Sequence, residues 1–206
     1  MEIYSTEEQQ VEAIKTFWKE YGMSIIGGAV LGLGGLFGWN AYQDHQETQR
    51  ESASTDFAKI VESSASADEV RAAADAFRAE HGNAGYLALT DLLEARTAVE
   101  SGDLARAESL LSGAIGQLDS SVAPLAQLRL ARVQIAQDNL AAAEATLATI
   151  SNEAFVVQRD ELKGDLFKQK GELQAAREAY QSALDAGGAL TNPGLQMKLD
   201  DLAQAG

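Results

Sequence analysis

The sequence predicts an all-α protein: an N-terminal transmembrane helix, then a tetratricopeptide-like solenoid of helix pairs closed by a C-terminal capping helix. Three observations carry this. Residues 21–43 hold 23 positions without a charge in an otherwise acidic chain. From residue 44 onward alanine is abundant, strand-like runs of Val, Ile and Thr are missing, and Pro124 is the one proline within the helical pattern. Four helical segments in that region also share one internal spacing, with a period near 34 residues.

The apolar run comes first. As a helix rising about 1.5 Å per residue it extends ~35 Å, enough for a hydrocarbon core of about 30 Å. A water-soluble helix of that length would carry a polar stripe, and none is present. Trp18 and Tyr21 precede the run while Trp39 and Tyr42 close it, as amphipathic rings do at the two water interfaces. The preceding segment is rich in acids (Glu2, Glu7, Glu8, Glu12, Glu20) against Lys15 and Lys19, and no clear small-x-small site follows Trp39. Those features fit a retained anchor better than a cleaved signal. Lys15 and Lys19 lie on the N-terminal side and Arg50 alone lies close on the other, which favours a cytoplasmic N-terminus. The expected organisation is a cytoplasmic tail over 1–20, a span over 21–43 and a domain outside the cytoplasm over 44–206.

Within the tail, Val11, Ile14, Phe17, Trp18 and Tyr21 recur at helical spacing, as in an amphipathic segment on a membrane surface. Within the span, Gly28 and Gly32 make one small-xxx-small pair and Gly34 and Gly38 another. Such pairs let helix backbones approach closely in lipid. Two readings stand: a face for another membrane helix, or the ordinary glycine content of spans.

Residues 44–63 continue as helix, and the domain from residue 44 carries 14 basic against 26 acidic residues, net −12. That excess argues against nucleic acid and against anionic lipid surfaces. The repeat fills this domain. Ala73, Ala107, Ala143 and Ala176 share a column, separated by 34, 36 and 33 residues. Phe77, Leu111, Leu147 and Tyr180 lie four positions later, and Val70, Leu104, Leu140 and Leu173 three earlier. Gly102, Asp138 and Gly171 mark turns before the last three of these helices, with Ala95, Ala131 and Gly164 seven positions ahead of each turn. A period near 34 with small residues at two crossing points is the pattern of the tetratricopeptide repeat, whose helix pairs stack only on their neighbours. The unit around 50–80 is degenerate, lacking the turn glycine. Gly187-Gly188 terminates a helix, Asn192-Pro193 starts the last one, and Leu195, Leu199 and Leu202 give that helix an apolar edge.

In such stacks the first helix of each pair lines the concave side. The repeat's usual groove positions fall on Leu89, Leu92, Arg96 and Val99, then on Leu125, Leu128, Arg132 and Ile135, then on Gln158, Glu161, Asp165 and Lys168. One reading is a groove for extended or helical polypeptide, with Arg96 and Arg132 stacked at equivalent positions. The other is that the leucines are inter-helix packing and the arginines pair with acids such as Glu94.

Catalysis finds no footing in the sequence. Cysteine is absent, and His45 and His81 show no ligand-spaced partner, so no cofactor or His/Cys metal site is expected. There is no G-x-S-x-G elbow or P-loop, and GLGGLFG lies inside the span.

Taken whole, the chain resembles the ancillary subunit of the bacterial SecYEG translocon. The resemblance lies in the opening MEIY, QVEAIKTFW, the glycine-rich span ending in GW, LRLARVQ from Leu128 to Gln134, and the closing LQMKLDDL. It implies a single-pass inner-membrane protein with its repeat domain in the periplasm. Expected partners are the SecYEG translocon, a membrane-anchored periplasmic chaperone of the prolyl-isomerase type, and exported polypeptides passed on to periplasmic chaperones. The family brings no catalytic residue. The competing expectation is a tetratricopeptide scaffold for another envelope complex.

Overall fold

The computed structural model describes residues 7–63, 66–82 and 84–204. All regular elements among them are helical. The chain divides into two units, Met1–Glu51 and Ser52–Gly206, and each is described by itself.

The first unit is the greater part of α1, a single helix over Glu7–Ser63. It carries the one segment among the described residues that is long and apolar enough to cross a membrane. Its apolar side chains, from Val11 through Leu31 and Phe37 to Tyr42, are exposed. In water such a surface would be strongly unfavourable, at roughly 25 cal/mol per Å². Phe17 stacks on Tyr21 with ring centroids 5.2 Å apart, and Trp39 on Tyr42 at 6.2 Å.

In the second unit, the end of α1 shares a core with α2 (Ala67–Glu80), built from Ala53, Ile60 and Phe77. Three helix pairs follow: α3 (Ala84–Glu100) with α4 (Leu104–Ile115), α5 (Ala123–Ala136) with α6 (Leu140–Ala148), and α7 (Val156–Gln169) with α8 (Leu173–Ala183). A short helix α9 (Ala189–Thr191) leads to α10 (Gly194–Gln204). Each pair packs on the next, α4 against α5 and α6 against α7, as the repeat requires.

The repeat columns become the core. Ala107, Ala143, Ala176, Leu147 and Tyr180 are fully buried and Leu111 nearly so. In the degenerate first unit the column slips: Ala73 is half-buried and its neighbour Ala74 is fully enclosed. Each turn within the three pairs closes identically. Gly102, Asp138 and Gly171 have φ of 84°, 61° and 79°. Their N–H groups donate to Val99, Ile135 and Lys168, while the next residue donates to Ala98, Gln134 and Phe167. This is the paired closure that ends a helix through a left-handed residue, where glycine carries no Cβ penalty.

The small residues at the crossings differ in necessity. A Cβ on Gly164 would overlap the Tyr180 ring, so only glycine lets α7 and α8 cross around that tyrosine. The stack closes as the sequence predicts. Gly187 turns left-handed (φ 94°), the Asn192 side chain accepts from the Gly194 N–H at 3.1 Å, and Leu195 and Leu202 of α10 bury with Ala176, Tyr180 and Ala183 of α8, with Leu199 partly covered.

Candidate binding cleft

Between α3 and α5 lies an open cleft of about 720 Å³. Leu89, Leu92, Arg96 and Val99 face it from α3 at spacings of three and four, one stripe of a helix. Leu118 and Val122, from the connection after α4, also line it, and Leu125, Arg129, Arg132, Val133 and Ala136 line it from α5. Leu89, Val99, Val122 and Leu125 each expose 41–45 % of their surface. They form a contiguous apolar trough in an otherwise charged domain.

Six of the eight groove positions expected on the first two pairs meet here: Leu89, Leu92, Arg96, Val99, Leu125 and Arg132. Leu128 and Ile135 do not. Leu128 is buried with Ala131, Leu147 and Leu166, and Ile135 packs against the same cluster. At about 100° per residue, Leu128 points ~80° away from the cleft stripe of α5, toward the next pair. Repeat positions that serve as groove on α3 therefore serve as core on α5. Arg129 is the functional candidate that repeat bookkeeping misses. Its signal is local: four residues after Leu125 and three before Arg132, it completes the stripe.

The third set of groove positions is occupied by the fold itself. Glu161 and Asp165 both accept from Lys198 of α10 at 2.8 Å, and Asp165 also accepts from the Tyr180 hydroxyl at 2.7 Å. Burial lowers the Lys198 pKa, but Asp165 and Glu161 outweigh it and leave the ammonium above its ordinary value. Gln158 and Lys168 remain exposed.

Arginines on the two faces of this region differ. Glu94, pointing inward from α3, accepts from Arg78 of α2 and from Arg106 of α4 at 2.8 Å, and Arg78 also donates to Asp91 at 2.7 Å. Burial works against the Arg78 charge, yet Glu94 and Asp91 outweigh it and raise its pKa. Glu94 is thus spent on these two and not on Arg96, which instead pairs with exposed Glu100 at 2.8 Å.

His81 meets a partner that lies outside any ligand spacing in the sequence. Its Nε2 lies 3.0 Å from Asp56 Oδ2 and its ring stacks on Phe77. Sequence spacing hides the pairing because Asp56 lies 25 residues upstream, at the end of α1. Atoms of Asp56, Glu80 and His81 able to bind a metal lie within 4.8 Å of one another, but Lys59 already sits 2.8 Å from Asp56. In the first unit, nothing lies within 4 Å of a Cβ position on Gly28, Gly32, Gly34 or Gly38 beyond the helix's own backbone and adjacent residues. The two glycine pairs face directions about 120° apart around the helix.

The chain matches the tetratricopeptide repeat-like domain family over residues 15–204. It is 36% identical to the ancillary SecYEG translocon subunit of Escherichia coli, over 98% of this chain and 100% of that protein. It belongs to the ancillary SecYEG translocon subunit family. The homologous subunit of Haemophilus influenzae is 32% identical over 95% of this chain and 97% of its own length. That of Aggregatibacter actinomycetemcomitans is also 32% identical, over 95% and 97%. No solved structure matches. As a member of a translocon-subunit family built on a tetratricopeptide-like domain, the protein is non-catalytic.

Proposed function

We propose that this chain is a membrane-anchored binding module that works beside the SecYEG translocon and helps pass exported proteins to periplasmic chaperones. The observation that carries the reading is the open apolar cleft between α3 and α5, borne on a chain that also contains a membrane-length apolar helix. The translocon is proposed as partner because the relatives are named as its ancillary subunits. In this reading residues 1–20 are cytoplasmic, 21–43 span the inner membrane and 44–206 stand in the periplasm. A membrane-anchored chaperone of the prolyl-isomerase type is the second partner, and Gly28, Gly32, Gly34 and Gly38 give the span surfaces where another helix backbone can approach. The strong negative charge keeps the domain soluble and away from anionic headgroups.

Photo-crosslinkers at Leu89 and Val122, used during active secretion, test the assignment. Exported polypeptide or translocon subunits should be captured. Capture of one fixed envelope partner and of no exported chain would mark the protein as a scaffold instead. Protease added to spheroplasts should degrade the domain beyond residue 44, and its survival would reverse the topology.

A further inference from the structure

The cleft is cationic where the protein as a whole is not. Its lip carries Arg96, Arg129 and Arg132 against the single carboxylate of Glu100, in a chain with 31 acidic and 16 basic residues. Arg78, Arg106, Arg159 and Arg177 are each held by protein acceptors. Arg129 and Arg132 make no ion pair or hydrogen bond among the described residues. The Arg96–Glu100 pair is exposed on both sides, 73% and 58%, so a competing carboxylate displaces Glu100 at little cost.

Two cations three apart on α5 repel each other, and they face a trough of leucine and valine that displaces water and raises the local field. We propose that the α3–α5 cleft binds a polypeptide segment that is both apolar and acidic, its leucine-class side chains in the trough and its Asp or Glu side chains on Arg96, Arg129 and Arg132. This rests on the groove reading above and adds the charge of the occupant. Guanidinium forks suit carboxylates in two-bond geometry. A net negative domain around a positive lip also repels acidic chains everywhere except at the cleft, which orients the encounter. Phosphate-bearing partners fit less well, because nucleic acid and anionic membranes present charge over areas that the surrounding acids repel.

The test uses the full chain in mild detergent and a short fluorescent peptide of alternating leucine clusters and glutamates. Two controls replace every glutamate by glutamine or by lysine. The glutamate peptide should bind about tenfold tighter than the glutamine one, with the advantage shrinking as salt rises. Arg129→Gln with Arg132→Gln should erase that advantage while the thermal midpoint stays put. Equal binding of glutamate and glutamine peptides overturns the charge inference and leaves the groove reading standing. If no peptide binds, and the double variant still co-purifies with translocon subunits as the parent does, both fall. Preference for anionic vesicles over every peptide would also overturn it, in favour of a lipid surface.

Discussion

The cleft between α3 and α5 and the closed end around α7, α8 and α10 are built from equivalent repeat positions, and they come out opposite. Where the first two pairs place Arg96 and Arg132, the third places Asp165. The arginines look into an open trough, whereas Asp165 is engaged by the Tyr180 hydroxyl and by Lys198. The repeat fixes which side of the stack a position faces. The chemistry of the residue, and of whatever packs over it, decides whether that side is free. A terminal unit must cover its last face, and here the cover is a helix with a lysine that donates to the two acids beneath it. Tyr180 serves the same closure. Burial, then the hydrogen bond to Asp165, pushes its phenol pKa far up, so it stays a donor.

If that contrast is right, substitutions at the closed end cost stability and substitutions at the open end do not. The largest effect is expected at Gly164. The Tyr180 ring against which its Cβ would press is fully buried and tied to Asp165, so it has little room to give. Gly164→Ala should destabilise by about 3 kcal/mol, read as a shift in urea midpoint followed by circular dichroism on the full chain in detergent. A loss below about 1 kcal/mol would mean that the ring relocates freely and that the crossing is not set by glycine.

Next comes Asp160, buried at the α7–α8 contact, where Arg159 donates at 2.7 Å and Ser182 at 2.8 Å. Burial raises its pKa, but Arg159 and Ser182 outweigh this and leave it below the ordinary carboxylate value. A depressed carboxylate contributes stability that is present above its unfolded pKa and lost as pH falls through the folded one. Asp160→Asn should therefore cost about 2 kcal/mol at neutral pH and a smaller amount once the solution is below about pH 3. An equal deficit at both pH values would assign the effect to shape and not to charge.

Lys198→Met should weaken the closed end by about 1 kcal/mol, less than Asp160→Asn because the lysine and Asp165 are both about one-third exposed. Loss of α10 protection in hydrogen exchange, with α3 and α5 unchanged, would sharpen the contrast. Uniform loss along the stack would blur it.

Much of this was legible in the sequence because it depends on residue type at fixed spacing. The 23 uncharged positions, the alanine columns, Gly102 and Gly171 at the turns and the leucines of α10 all work through local geometry. What was hidden depends on who meets whom across the stack. Leu128 looks like Leu92 in the repeat frame, but α5 meets α7 directly on that side, whereas the cleft parts α3 from α5. Glu94 reads as a partner for Arg96, two residues away, yet residues two apart on a helix do not face each other, and it turns inward to Arg78 and Arg106. Asp56 and His81 meet only because the end of α1 serves as the missing first helix of the degenerate unit.

The smallest stability effect is the most discriminating. Arg129→Gln with Arg132→Gln removes two charges that have no protein partner among the described residues, from a surface position on α5. The change in unfolding free energy should stay within about 0.5 kcal/mol, and at low salt it should lean toward stabilisation, since the two guanidiniums repel across one helical turn. High salt should cancel that lean by screening. A loss above about 1 kcal/mol would mean that these arginines hold the cleft walls in place as Lys198 holds the cap. The two regions would then be alike, both closed by their own side chains. A null effect on folding, joined to a change in what the cleft binds, leaves the arginines with an outward role alone.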